Sequence, residues 1–283
     1  MNEEVDFLEL LKFIRRKKLA TIFLLVISMI ACNIYAHVSH RFTDVVAGLK
    51  VEGISLLASL IVTIFILLVV LYYFDRSIKS ADTLKSNNLL EVVYDVSDII
   101  KVKTKIRLKG QGKVIFLTSP RDLEVEDIIM RLAKEFSKDS KIIVIDSDFR
   151  NGKSEQEGYS NILKKYTDKY KPFIEKYQGI DFLNVGTELD EPEVLLYSEN
   201  NKKLLEELQK TYDYIIIYNY NIIDYSDALI LSKISNSNYI VVKLYETQAE
   251  DLNKAIEAFK QVNSNINGII AISEKYVDED IEE

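Results

Sequence analysis

The sequence predicts an α/β protein: two N-terminal apolar helices, then a mainly parallel sheet flanked by helices. Three observations predict it. Two uncharged apolar runs, Leu19–Ala36 and Ile54–Phe74, lie near the start of the chain. Further on, Val114–Leu117, Ile142–Ile145, Tyr214–Ile217, Tyr239–Val242 and Ile269–Ile272 are continuous apolar runs. Runs without polar alternation are the mark of strands buried on both faces, as in a parallel sheet. Between them, Glu126–Phe136, Lys202–Thr211, Ala228–Ile234 and Ala249–Val262 read as helices, and strand–helix alternation builds a doubly wound domain with right-handed crossovers.

The apolar runs come first in the chain. A helix needs about 20 apolar residues to cross a bilayer, so the two runs are expected to form a membrane hairpin within residues 1–80, spanning about 19–36 and 54–74. Lys12, Arg15, Arg16, Lys17 and Lys18 precede the first span, and Arg76, Lys79 and Lys85 follow the second. The positive-inside bias then puts both termini in the cytoplasm and the short loop 37–53 outside. Tyr72, Tyr73 and Phe74 suit the inner interface. Val5–Ile14 reads as an amphipathic helix at the inner surface or as an extension of the first span. The basic region is long and no A-x-A site follows the first run, which argues against a signal peptide.

Composition narrows the function. Against 36 Lys and Arg stand 44 Asp and Glu, a net charge of −8, which excludes nucleic acid as the main partner. Cys32 is the only cysteine, so there is no disulfide framework or cysteine zinc site within one chain. His37 and His40 are the only histidines, too few for a catalytic metal site of their own, and no metal is expected. Residues 81–112 are polar and weakly periodic, suiting a linker with one or two helices, and 113–283 form the α/β domain. In such sheets ligands bind at the carboxyl ends of the strands.

Several stretches now match a family in order. Val5-Asp6-Phe7-Leu8-Glu9-Leu10-Leu11, then basic residues and a span, resembles the start of bacterial chain-length determinants of the Wzz type. The exit Asp75-Arg76-Ser77-Ile78-Lys79-Ser80 resembles theirs too, and the resemblance implies a bacterial inner membrane for the hairpin. Gly158–Leu163, Ile180–Thr187, Glu191–Leu196, Tyr212–Ile217 and Ser226–Leu231 resemble the cytoplasmic P-loop domain of bacterial tyrosine kinases of capsule and exopolysaccharide synthesis. This second resemblance implies three nucleotide motifs at strand ends. The first, a P-loop, needs glycines to wrap phosphate, then Lys and Ser or Thr. Its counterpart is Thr118-Ser119-Pro120-Arg121-Asp122-Leu123-Glu124-Val125-Glu126-Asp127, with Glu126 in place of the Lys and Asp127 in place of the hydroxyl residue. No glycine occurs between Gly112 and Gly152.

The second motif, D-x-D-x-R, is kept as Asp146, Asp148 and Arg150. The resemblance places its acids near Mg²⁺ in active members; here they are expected to serve as a pair of loop hydrogen bonds, because Mg²⁺ is usually shared with substrate phosphates. The third motif is lost, since Tyr218 stands where the family has an Asp, and a phenol is not an anionic partner at neutral pH. Asp122, Glu124, Glu126 and Asp127 offer their own negative charge to the helix N-terminus that would otherwise attract phosphate, giving an acid-capped helix. Arg121 is the one nearby cation that offsets them.

The expectation from sequence is therefore a degenerate kinase domain with no catalytic residues and no bound cofactor. It would be a non-catalytic co-polymerase or regulatory subunit, a pseudokinase working with the polysaccharide polymerase and export machinery, with a competent tyrosine kinase, and with further copies of itself. Two alternatives stand beside it: an unorthodox tyrosine autokinase or ATPase using Asp146 and Asp148, and a ParA/MinD-like membrane scaffold unconnected with glycans.

Overall fold

A computed structural model of the protein describes residues 76–80, 84, 89–93, 96–110, 112–123, 125–150, 156–165, 170–187 and 191–273, together with scattered positions from Ile22 to Ile34 and from Leu57 to Ile66. The chain divides into two compact units, residues 1–76 and 77–283. In the first, the described positions from Ile22 to Ile34 and from Leu57 to Ile66 are helical and their apolar side chains exposed, among them Ile22, Ile34, Leu57 and Phe65. Among the described residues no helix is long and apolar enough to cross a membrane. The expected spans fall largely outside those residues, and the expected helix at 5–14, the loop 37–53, Cys32, both histidines and Glu124 fall wholly outside them.

The second unit is a sheet of eight strands: β1 (Leu89–Val93), β2 (Val114–Thr118), β3 (Ile142–Asp146), β4 (Glu175–Tyr177), β5 (Ile180–Leu183), β6 (Tyr214–Asn219), β7 (Ser237–Lys243) and β8 (Gly268–Ile272). Their spatial order is β1-β8-β7-β2-β6-β3-β5-β4, parallel throughout except for the antiparallel edge strand β4. The helices are α1 (Val96–Lys109), α2 (Glu126–Ser137), α3 (Tyr159–Lys164), α4 (Pro192–Leu196), α5 (Glu199–Thr211), α6 (Asp227–Ile234) and α7 (Ala249–Gln261).

The five apolar runs are all strands because each is buried on both sides. Alternate residues of one strand enter opposite cores, as the period-2 geometry of a strand requires. Phe116, Ile143, Ile217 and Val242 point into a core with Leu204, Leu208, Ala228, Leu252 and Phe259. Ile115, Val144, Ile216 and Val241 point into a second core with Ile99, Val102, Ile106 from α1 and Ile129, Leu132, Phe136 from α2. Two helices thus cover one face, and α5, α6 and α7 pack on the other.

The stretch expected to be a linker with helices holds α1, but it also holds a strand. Leu89–Val93 pairs in parallel with β8, and Ser273 N donates to Val93 O at 2.9 Å. Ahead of it, Ser77 bridges Gln248, and Ile78 and Leu84 are buried in the core. The α1 helix is tied to the end of α2 by Lys103 and Arg107, both on Asp139 at 2.9 Å, while the Arg107 guanidinium lies 5.2 Å from the Phe136 ring.

Candidate functional site

The carboxyl ends of β2, β3 and β6 lie side by side at the middle of the sheet, so Thr118, Asp146 and Asn219 bring three loops together. Asp146 and Tyr218 are register partners. The Asp146 carboxylate accepts from the Asp148 amide at 2.9 Å, a turn that holds the D-x-D backbone. Burial, with the charges of Asp148 and Glu126 adding to it, pushes the Asp146 carboxyl up to about 6 against the opposing hydrogen bonds from the Asp148 amide and the Tyr218 phenol. Burial first, then the neighbouring Asp146 charge, raises the Tyr218 phenol far above its ordinary range. Tyr218 is 2% exposed, and its ring packs 5.7 Å from that of Tyr220.

Below this pair the strand ends are stitched together. The Ser147 amide donates to Tyr218 O at 3.0 Å, and the buried Asn219 side chain donates to Ser147 O. Nothing in the sequence had marked Asn219 or Ser147; their roles come from the adjacency of β3 and β6.

The loop after β2 has the strand and helix of a P-loop but a different interior. Ile222 N donates to Ser119 O at 3.1 Å and Ile223 N to Pro120 O at 3.4 Å, so the loops after β2 and β6 are joined by backbone bonds. The acid-capped helix is only half realised. Glu126 and Asp127 occupy the first turn of α2, where their charge is favourable. Yet the N-cap is Val125, with no side-chain capping bond; Asp127 pairs with Arg131 at 2.9 Å, and the Asn221 amide donates to Asp122 at 3.4 Å. Arg121 does not stand free above the loop. It binds Asp224 at 2.8 Å and Asp251 at 3.1 Å.

Arg150, the last residue of D-x-D-x-R, turns away from Asp146 toward α4 and α6. It pairs with Glu193 at 2.5 Å, lies 5.2 Å from the Tyr225 ring, and has its Nε 3.9 Å from the fully buried Asp227. Burial pushes the Asp227 carboxyl up, opposed by the Arg150 charge.

Chemically, the site offers two carboxylates at one strand end, one guanidinium on the neighbouring loop, and a phenol where an acid was sought. In the loop after β2, Pro120 has no N–H to offer a phosphate, and the Ser119 and Pro120 carbonyls accept from the loop after β6. Among the described residues no group of three His, Cys, Asp or Glu is arranged to hold a metal by itself.

Comparison with known proteins places this geometry. No protein-family model matches the chain. Tyrosine-protein kinase CpsD of Streptococcus pneumoniae is 27% identical over 179 residues, covering 59% of this chain and 79% of that protein. Tyrosine-protein kinase ptk of Acinetobacter johnsonii is 25% identical over 141 residues, covering 47% of this chain but only 19% of that protein. The kinase domain of the Escherichia coli tyrosine kinase ETK superposes with a TM-score of 0.57 at 20% identity, over 63% of this chain and 76% of that one. The expectation of a non-enzyme is overturned by these relatives, which are tyrosine-protein kinases. It rested on two strand ends, the loop after β2 and Tyr218 at the end of β6, whereas the kinship runs over 141 and 179 residues. The chain is homologous to bacterial tyrosine-kinase domains of the CpsD and Ptk kind and has their P-loop kinase fold, an α/β domain with a mainly parallel sheet.

Proposed function

We propose that the chain serves capsular or exopolysaccharide synthesis as a membrane-anchored protein of tyrosine-kinase type, with an atypical phosphate site at the ends of β2, β3 and β6. The observation that carries this reading is the similarity to CpsD over 179 residues, most of that kinase's length. The paired Asp146 and Asp148 support it, since acids at a strand end are where an α/β sheet handles ligands. The apolar runs 19–36 and 54–74 anchor the chain as a hairpin with both termini in the cytoplasm. Its working partners are the polysaccharide polymerase and export machinery, reached in the manner of a Wzz-type co-polymerase, and further copies of itself.

In this reading Asp146 and Asp148 hold the cation, Arg121 meets phosphate, and burial beside Tyr218 sets the raised proton affinity of Asp146. When bound, a magnesium–nucleotide complex supplies the transferable phosphoryl group. The test has two arms. The full chain incubated with Mg-ATP is assayed for phosphotyrosine on itself and on co-purified partners, and the signal should vanish with Asp146→Asn. In cells, deleting residues 113–283 should change the amount or length of surface polysaccharide. Absence of phosphotyrosine would remove the kinase reading, and identical glycan profiles would remove the pathway.

A further inference from the structure

We propose that Arg121 is a latch over the strand ends, and that a polyphosphate ligand enters by displacing Asp224 and Asp251 from its guanidinium. The choice of ligand rests on the kinase-type reading; the latch itself rests on geometry. Arg121 lies in the loop after β2. Its Nη1 binds Asp224, in the loop after β6, at 2.8 Å, and its Nε binds Asp251, in the first turn of α7, at 3.1 Å. The loops after β2 and β6 and the start of α7 therefore meet on one side chain. The two backbone bonds from Ile222 and Ile223 run beside it and align the first two of these loops.

The two carboxylates occupy the guanidinium's donors that phosphate oxygens would take. A guanidinium presents the same planar fork to carboxylate and phosphate, so one can replace the other without moving the arginine far. Access favours exchange: the Arg121 side chain is 48% exposed and that of Asp224 46%. Exposed pairs of this kind are weak and screened by salt. Asp251 is the firmer hook. It is 16% exposed, sits at a helix N-terminus where its charge is favoured, and is the first cause of the raised Arg121 pKa. The acids around the loop, Asp122, Glu126 and Asp127, oppose any incoming anion. Arg121 is the cation that the loop after β2 sets against these acids.

Titration calorimetry of the full chain with Mg-ATP, and separately with inorganic tripolyphosphate, tests the latch. Asp224→Asn combined with Asp251→Asn frees the guanidinium and should tighten both ligands at least fivefold over the parent. Adding Arg121→Ala should return affinity to the parent value or below it. Asp224→Asn alone removes only the exposed hook; it should give a smaller gain in the same direction and suffices if the double variant does not fold. Unchanged affinity in the freed variants, a gain that persists without Arg121, or a gain for ATP but none for tripolyphosphate would each overturn the proposal. If the latch series behaves as expected while the chain forms no phosphotyrosine, the latch stands and the kinase reading falls. If phosphotyrosine forms but binding ignores Arg121, the latch alone falls.

Discussion

Asp146 and Tyr218 are register partners across β3 and β6, and burial has pushed the Asp146 carboxyl up to about 6. A free aspartate titrates at about 3.9, so folding raises this group's proton affinity roughly a hundredfold, worth at most about 3 kcal/mol. Because the folded state binds the extra proton, the contribution to stability is complete below pH ~4 and is lost as the pH rises through about 6.

Asp146→Asn should therefore stabilise the domain at pH 7.5, by up to ~3 kcal/mol, and give no gain at pH 4. The amide keeps an oxygen for the Asp148 N–H, so the turn should survive. Thermal unfolding of parent and variant at the two pH values checks this; equal shifts at both would show that the carboxylate is not strained by burial. A variant more stable yet inactive is the usual trade at a functional site.

Two glycines should respond differently to alanine. A Cβ at Gly158 would land on the backbone oxygen and the side-chain oxygen of Asn184, where the loop after β5 meets α3. That clash should cost on the order of 1–3 kcal/mol. Gly179 has a φ of +84° but open space around it, so Gly179→Ala should cost only about 1 kcal/mol. Urea midpoints of the two variants should fall in that order.

Phe136 is fully buried and meets Tyr214 edge-on, with ring centroids 4.9 Å apart. Phe136→Ala should cost ~3–5 kcal/mol through lost burial and a cavity between α2 and the sheet. A loss under about 1 kcal/mol in chemical denaturation would mean that the helix repacks over the gap.

Asn219→Ala should cost ~1–3 kcal/mol, because it leaves the buried Ser147 carbonyl without its donor at the junction of β3 and β6. If the stitch shapes the site, nucleotide binding by this variant should weaken more than that by Phe136→Ala at matched stability.

The central strands were legible because burial on both faces forces unbroken apolar runs, and Ile215-Ile216-Ile217 can hardly be anything else. The edges were not. Glu175-Lys176-Tyr177 is wholly exposed, and Leu89–Val93 carries Glu91 paired to Lys105, so neither shows the apolar signal of the interior. Asp146, Asp148 and Tyr218 were readable as a group because strand ends in a parallel sheet fall at one end. Arg121 was visible as a cation, but its partners Asp224 and Asp251 are far along the chain and only the strand order brings them near. The turn of Arg150 toward Glu193 and Asp227 likewise belongs to helix placement, which no local pattern encodes.

The pairing of β1 with β8 has a consequence for biogenesis. Leu89 is opposite Ile269, so the first strand of the sheet to leave the ribosome waits for the last. Contacts this distant in sequence form slowly, and an unpaired strand is exposed to association with other chains while it waits. Synthesis thus leaves a window in which β1 is made but the strand it pairs with is not. Slowing translation between α7 and β8 should lengthen that window, and chains stalled there should be more open to proteolysis near residues 89–93 than completed ones.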